Sequence, residues 1–184
     1  MRGSPAFRNE SIDAADIHRR CILNFADFHL NPITMPREDF VCTPQLRVRW
    51  AEVDMQKIVF NGHYLTYIDT AIAEYWRAIG LPYPQGYVER YSNDVYLRKA
   101  TVEYLGSARY DDVLSVCCRV GRLGRSSMTF HFEIFRDEPD PASAPLVTAE
   151  LVYVNAEPSS MSPAPLPQEV RDRITRYERV APQS

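Results

Sequence analysis

The chain has 184 residues, of which 45% are hydrophobic and 24% charged, and its formal net charge is -3 at pH 7. This length suits one folded domain with a single core, and the slightly acidic balance gives no electrostatic basis for binding nucleic acid or an anionic membrane surface. The four cysteines form no C-x-x-C pair, and no apolar run approaches the roughly 18 residues of a membrane span, so we expect a soluble cytoplasmic protein with free thiols.

Residues 1–43 differ in composition from the rest of the chain. They mix arginines with acidic residues and end in a proline-rich stretch. The acidic residues argue against an organelle transit peptide. We therefore predict a flexible or peripheral N-terminal extension, to which the sequence assigns no role.

The first regular elements are a strand and a long helix. Apolar and basic residues alternate over 46–50, which predicts a half-buried strand. We expect a helix with Asn61 as N-cap and Gly80 as C-cap. Its apolar residues recur at three- and four-residue steps and predict one buried face: Tyr64, Tyr67, Ile68, Ala71, Ile72, Tyr75, Trp76 and Ile79.

Four further strands follow the helix. Residues 95–102, 114–120 and 127–134 alternate in polarity, and a last strand is predicted over 146–154. Short connections between the last three strands favour antiparallel neighbours. The order of elements predicts an α+β domain over 44–158, with one sheet face covered by the helix and the other open to solvent or to a second subunit.

The chain after this domain is predicted to be peripheral. Residues 159–184 begin with a loop rich in proline and serine. The stretch "PQEVRDRITRYERV" then predicts a short exposed helix with Val170 and Ile174 on one side.

Three stretches carry a resemblance to a known family: "VRWAEVDMQKIVFNGHYLTYIDTAIAEYWRAIGLP", "VEYLGSARYDDVLSV" and "VGRLGRSSMTFHFEIFR". They resemble the hotdog-fold acyl-CoA thioesterases of the 4-hydroxybenzoyl-CoA thioesterase type, and the resemblance covers Leu46 to Pro167. It implies a five-stranded antiparallel sheet wrapped around a long central helix. It also implies a homodimer or homotetramer with active sites at the subunit interface, acting on an acyl-CoA or acyl-carrier-protein thioester.

The resemblance also implies roles for individual residues. Asp54 matches the catalytic carboxylate, and Asn61 matches the residue whose backbone N–H binds the thioester carbonyl. Two positions depart from the family: Lys57 stands where glycine is usual, and His63 where asparagine or serine is common. These departures bear on the identity of the substrate more than on the type of reaction.

The start of the helix suits the chemistry of a thioester. Its first N–H groups lack partners within the helix and carry a partial positive charge, which stabilises a carbonyl oxygen as it becomes negative. We expect Asn61, Gly62 and His63 to supply these groups, Tyr64 to contact the substrate, and Asp54 to attack the carbonyl or to activate a water. The alternatives are a solvated turn residue for Asp54 and a packing residue for His63.

A turn with the sequence "GRLGRSS" is the candidate site for the coenzyme. We predict that Arg122, Arg125 and Ser126 bind the phosphates of coenzyme A, because arginine pairs with phosphate through two parallel hydrogen bonds. The alternative is a turn with solvated arginines or a subunit contact.

Other enzyme classes lack their motifs in this sequence. There is no serine-hydrolase elbow, phosphate-binding loop, dinucleotide fingerprint or metal-ligand spacing, so no metal or redox cofactor is expected. The main alternative to a thioesterase is a non-catalytic module that binds acyl thioesters or acts as a scaffold. Hydration or dehydration of an acyl thioester would require a His–Asp pair that the sequence does not place.

Overall fold

The computed structural model describes residues 34–137 and 144–184. A five-stranded antiparallel sheet in the order β1-β3-β4-β5-β2 forms the frame. Its strands are β1 Gln45–Arg47, β2 Asp94–Tyr104, β3 Val113–Leu123, β4 Ser127–Arg136 and β5 Val147–Ala156. The α-helices of the described residues are α1 His63–Ala78, α2 Val88–Tyr91 and α3 Gln168–Tyr177. None of them combines the length and hydropathy that would let a helix cross a bilayer.

Helix α1 supplies the centre of the core. Its buried residues are those that the sequence periodicity predicted: Tyr64, Tyr67, Ile68, Ala71, Ile72, Tyr75 and Trp76. They form one cluster with the inward-facing residues of β3, β4 and β5. The α+β class and the hotdog arrangement of a five-stranded antiparallel sheet around a long helix are therefore confirmed.

Both ends of α1 are offset by one residue from the prediction. Gly62 rather than Asn61 is the N-cap, with helical φ and ψ of -63° and -26° and no side-chain capping bond. At the other end Ile79 is the C-cap, and Gly80 follows with φ of 73°, a left-handed conformation that favours glycine. The Gly80 N–H donates to the Arg77 carbonyl at 2.9 Å and closes the last turn.

The first strand is shorter than predicted. It ends at Arg47, and residues 50–52 form a 3₁₀ turn in which Trp50 is 75% exposed. Backbone pairing continues one residue further, because the Val48 N–H donates to the Asp112 carbonyl at 2.9 Å and the Asp111 N–H donates to the Val48 carbonyl at 3.2 Å. The predicted alternation nevertheless holds through Arg49, because Val48 is 1% exposed and Arg49 faces solvent, and it is wrong only at Trp50.

The sheet face turned away from α1 is partly covered, although it was expected to be open. Met35 and Phe40 pack there on Cys117 and Phe135. This cover comes from residues 34–43, the described part of the predicted N-terminal extension. The rest of that extension lies outside the described residues.

Helix α3 is buried along one side, although a short exposed helix was predicted. Val170 and Ile174 both have 0% exposure and belong to the same core cluster as α1. The predicted apolar side is therefore the packed side, and the core includes residues beyond 158.

Candidate active site

Asp54 lies in a narrow loop that leads the chain back to α1. Val53 and Val59 form an antiparallel bridge at its stem, and the Asp54 N–H donates to the Ile58 carbonyl at 2.9 Å. The Gln56 N–H donates to Asp54 Oδ1 at 2.7 Å, which orients the carboxylate. Within the described chain no donor binds Asp54 Oδ2. One carboxylate oxygen is thus available to a ligand.

The start of α1 offers two backbone N–H groups to a ligand, where three were expected. The His63 N–H is occupied, because it donates to the Phe60 carbonyl at 2.9 Å. The N–H groups of Asn61 and Gly62 have no acceptor among the described residues. Since a helix start carries partial positive charge, these two groups are suited to bind an oxygen that becomes negative.

Asp54, Asn61 and Tyr64 line one cavity of about 370 Å³. The remaining lining comes from the Asp54 loop, the end of β2 and the segment after β2: Gln56, Ile58, Val59, Phe60, Tyr104, Gly106 and Ser107. Apolar side chains of the loop therefore stand beside the polar groups. Nowhere in the described residues do three or more His, Cys, Asp or Glu side chains come together as a metal site.

Two tyrosine hydroxyls connect the walls of this cavity. The Ala108 N–H donates to Tyr64 Oη at 2.9 Å, and Tyr104 Oη donates to the Asn61 carbonyl at 3.1 Å. Burial raises the pKa of Tyr64, so its hydroxyl is protonated at neutral pH. No acceptor for that proton is found among the described residues, which leaves Tyr64 able to donate a hydrogen bond to a ligand.

Gly62 and His63 do not line the cavity but stand at its edge. A Cβ at Gly62 would lie 2.9 Å from Cε1 of Phe60, so the glycine lets that ring approach the helix start. The His63 ring is half-buried and packs edge to face on Phe60, with centroids 6.1 Å apart. Both residues thus act on the cavity wall through Phe60.

Within one protomer, none of the predicted phosphate-binding residues shares a cavity with Asp54. Arg122 lines a second cavity of about 360 Å³ with His131 and Glu150, on the sheet face turned away from α1. Burial lowers the pKa of His131, which keeps its ring neutral at pH 7. Arg125 and Ser126 lie in the turn between β3 and β4.

Sequence reasoning missed three residues around the candidate site. Tyr104 and Ser107 reach the cavity only through the pairing of β2 in the sheet, and Tyr104 lies 43 positions from Asn61. Glu52 is 4% exposed, although a glutamate in a polar stretch normally indicates a solvated position. The feature of the sequence that associates Glu52 with the candidate site is its position two residues before Asp54.

The amino-acid sequence is similar to those of known thioesterases and esterases. The thioesterase superfamily model matches residues 56–143, a range that begins two residues after Asp54. A putative esterase of Aquifex aeolicus is 33% identical over 98 residues, which are 53% of this chain and 75% of that protein. The acyl-CoA thioester hydrolase YbgC of Escherichia coli is 27% identical over 125 residues, which are 68% of this chain and 89% of that protein.

Solved structures share the fold. A hypothetical protein of Aquifex aeolicus has a TM-score of 0.63 and 26% identity, covering 72% of this chain and 98% of that chain. A 1,4-dihydroxy-2-naphthoyl-CoA thioesterase of Synechocystis has a TM-score of 0.64 and 20% identity, covering 72% of this chain and 93% of that chain. A thioesterase superfamily protein of Jannaschia sp. has a TM-score of 0.69 and 19% identity, covering 80% of this chain and 100% of that chain.

Proposed function

The chain belongs to the thioesterase superfamily and is a thioester hydrolase, and we propose that it converts an acyl-CoA to the free acid and the thiol at the cavity lined by Asp54, Asn61 and Tyr64. One observation carries this proposal. A carboxylate with an unbound oxygen shares a cavity with the start of a helix that has two unbound N–H groups. Hydrolysis of a thioester needs both a nucleophile at the carbonyl carbon and donors at the carbonyl oxygen.

Asp54 has two possible routes in this reaction. In the first, Oδ2 bonds to the acyl carbon, the thiolate leaves, and water hydrolyses the resulting anhydride. In the second, a water oxygen forms that bond while Asp54 accepts the proton of the water and the thiolate leaves. Rapid acid quenching followed by mass spectrometry separates them, because only the first route leaves an acyl group on the protein.

We assign binding roles to residues that line the cavity and to Gly62 at its edge. The N–H groups of Asn61 and Gly62 stabilise the carbonyl oxygen, and one such donor typically contributes roughly 10²–10³-fold to the rate. The Tyr64 hydroxyl donates to the substrate, and the apolar loop residues contact its acyl group. For His63 the contact with Phe60 supports the packing alternative, and a catalytic role rests only on its place at the start of α1.

The candidate phosphate site and the cavity lie at opposite ends of the sheet. Tyr104 pairs with Val147, whereas Ser127, beside the β3–β4 turn, pairs with Val154. The seven steps along β5 from Val147 to Val154 span roughly 23 Å at about 3.3 Å per residue. Arg125 therefore either meets the far end of the coenzyme or serves the cavity of a second copy of the chain.

The exposed edge strand β2 supports a homodimer in which Arg125 of one copy lies near the Asp54 cavity of the other. Strand β2 lies at the edge, and Leu97 and Tyr104 are 50% and 38% exposed there. Antiparallel pairing of two β2 strands would set the Asp94 end of one beside the Tyr104 end of the other. Because the Asp94 end lies at the same end of the sheet as the β3–β4 turn, Arg125 and Ser126 of one copy would approach the cavity of the other. A homotetramer of two such dimers would keep this arrangement.

The catalytic proposal is tested with Asp54→Asn, which keeps the size of the side chain and removes its charge. We expect the kcat for thiol release from an acyl-CoA panel to fall at least about 100-fold. Asp69→Asn is the matched control, because Asp69 is an exposed aspartate on α1, and its kcat should stay within about twofold. Near-wild-type turnover of each cleavable acyl-CoA by Asp54→Asn would show that the assignment is wrong.

Two alternatives give different outcomes in the same assays. A carrier-protein thioesterase would cleave acyl-carrier protein faster than the matching acyl-CoA, in a salt-sensitive manner. A non-catalytic module would bind acyl-CoA and leave the thioester intact. We also propose a cytoplasmic location, which is supported by the buried free thiols of Cys42, Cys117 and Cys118.

A further inference from the structure

Glu52 is a buried carboxylate two residues before Asp54. It is 4% exposed, and its Oε2 accepts hydrogen bonds from the Arg49 N–H at 2.7 Å and from Tyr67 Oη at 2.8 Å. Its Oε1 accepts from Arg49 Nε at 2.7 Å. Burial acts to raise the pKa of Glu52, but these hydrogen bonds outweigh it and the net shift is downward. Glu52 is thus an ionised acceptor.

The backbone of Glu52 forms the base of the Asp54 loop. Its carbonyl accepts from the Phe60 N–H at 2.9 Å, directly below the bridge between Val53 and Val59. Asp54 follows above that bridge. Any rotation of Glu52 relative to α1 would therefore carry the Asp54 carboxylate with it.

Tyr67 links this base to the helix. It stands one turn beyond the start of α1, is 3% exposed, and packs edge to face on Tyr64 with ring centroids 5.8 Å apart. The second half of the Asp54 loop is also connected to α1, through Ala108. The Val59 N–H donates to the Ala108 carbonyl at 2.9 Å, and the Ala108 N–H donates to Tyr64 Oη. The hydrogen bond between Tyr67 and Glu52 connects the first half of the loop, which carries Asp54, to α1.

We propose that Glu52 and Tyr67 are positioning residues, which fix the distance between the Asp54 carboxylate and the free N–H groups at the start of α1. This inference rests on the proposed function of that cavity. A misplacement of about 1 Å at a reacting group can reduce the rate by about 100-fold while substrate binding is retained. Loss of the link should therefore lower kcat much more than it changes KM.

The chain offers a matched control on the same helix. Tyr75, two turns further along α1, donates to the buried carboxylate of Glu178 at 2.6 Å, far from the cavity. Tyr67→Phe and Tyr75→Phe each remove one buried hydroxyl that binds a glutamate. We expect both to lower Tm, but only Tyr67→Phe should lower kcat, by about tenfold, with KM within about twofold.

Two substitutions of Glu52 test the carboxylate itself. Glu52→Gln keeps an oxygen that can accept from Tyr67 and from the Arg49 N–H, so its kcat should stay within about threefold of the wild type. Glu52→Leu removes the acceptor and leaves the buried Tyr67 hydroxyl without a partner, so its kcat should fall at least as far as that of Tyr67→Phe. Equal kcat losses in Gln and Leu variants would contradict the proposed role of the hydrogen bonds.

A second measurement does not depend on turnover. Amide hydrogen exchange over residues 53–63 should be faster in Tyr67→Phe than in the wild type and unchanged in Tyr75→Phe. If the wild type hydrolyses no acyl-CoA, the proposed function fails, and the exchange result still decides whether the link holds the loop. Equal kcat losses in the two tyrosine variants, or unchanged exchange over 53–63 in Tyr67→Phe, would overturn the inference.

Discussion

Lys57 has an unusual backbone for a residue with a side chain. Its φ is 63°, in the left-handed region, and its N–H donates to the Asp54 carbonyl at 2.9 Å. This conformation costs a non-glycine residue roughly 1–2 kcal/mol. The position is the one at which the resembling thioesterases usually have glycine, so the shape of the loop explains that preference. Lysine keeps the loop at a cost in stability.

Substitution of Lys57 should therefore change stability in two directions. Lys57→Gly relieves the strained φ but costs about 0.5–1 kcal/mol through the greater chain entropy of the unfolded state, so we expect a net gain of about 0–1.5 kcal/mol in the free energy of unfolding. Lys57→Val, with a β-branched side chain, should lose about 1–2 kcal/mol. Chemical denaturation measures both.

The neighbouring residue supplies the control for this prediction. Gln56 is exposed and has no left-handed backbone, so Gln56→Gly should lose about 0.5–1 kcal/mol. If Lys57→Gly destabilises the protein as much as Gln56→Gly does, strain at Lys57 is not significant. The kcat of Lys57→Gly should stay within about threefold, since the backbone bonds of Asp54 are retained.

The residues of the candidate site differ in how well sequence can find them. Asp54 and Asn61 belong to one continuous stretch, so their spacing and the helix period together place them near each other. Tyr104 depends on the pairing of β2 with β5, which no local pattern specifies. Glu52 is polar, and its burial requires that the Tyr67 hydroxyl on α1 lie within hydrogen-bond distance of its carboxylate. Contacts of this kind need the folded structure.

Among the elements, helix α1 can be predicted from the sequence more readily than which residues of the edge strand β2 face the core. Polarity alternates over the whole of β2, but a bulge after Leu97 shifts the register, so that Leu97 pairs with Tyr153 and Ala100 with Leu151. Tyr153 and Leu151 both face the core, so Leu97 and Ala100 share one sheet face. The alternation of the sequence predicts opposite faces for these two residues. An edge strand with two exposed faces gives little signal to correct such a shift.

A second bulge, in β3 after Val120, leads to a prediction about packing. A Cβ at Gly121 would lie 2.2 Å from Cδ2 and 2.4 Å from Nε2 of His131. Gly121→Ala must displace that half-buried ring, so we expect a loss of about 1–3 kcal/mol in the free energy of unfolding. In a His131→Ala background the loss should shrink to less than about 1 kcal/mol, as measured by chemical denaturation in a double-mutant cycle.

Gly62→Ala is the control for this steric argument. Its Cβ would lie 2.9 Å from the ring of Phe60, which is 53% exposed and free to rotate away, so we expect a cost below about 1 kcal/mol. If Gly121→Ala costs the same with and without His131, the bulge itself rather than the ring contact requires glycine.

At the scale of the whole molecule, the proposed pairing of two chains decides which residues the candidate site contains. One protomer holds the Asp54 carboxylate and the start of α1 at one end of the sheet, and Arg125 of the β3–β4 turn at the other. Strand β2 is an edge strand of the sheet, and a second copy of the chain could pair with it. A homodimer paired through β2 would join the two ends in each of its sites.

Subunit mixing tests this arrangement. Arg125→Ala alone should raise the KM for acyl-CoA about tenfold with little change in kcat, because it removes a phosphate contact. Chains carrying Asp54→Asn and chains carrying Arg125→Ala, co-expressed with different tags and purified as heterodimers, combine an intact Asp54 with an intact Arg125 in one of the two sites. We expect wild-type KM with about half of the wild-type kcat per dimer. If Arg125 serves the cavity of its own protomer, the heterodimer will show only the raised KM, and the pairing of the two ends across subunits is wrong.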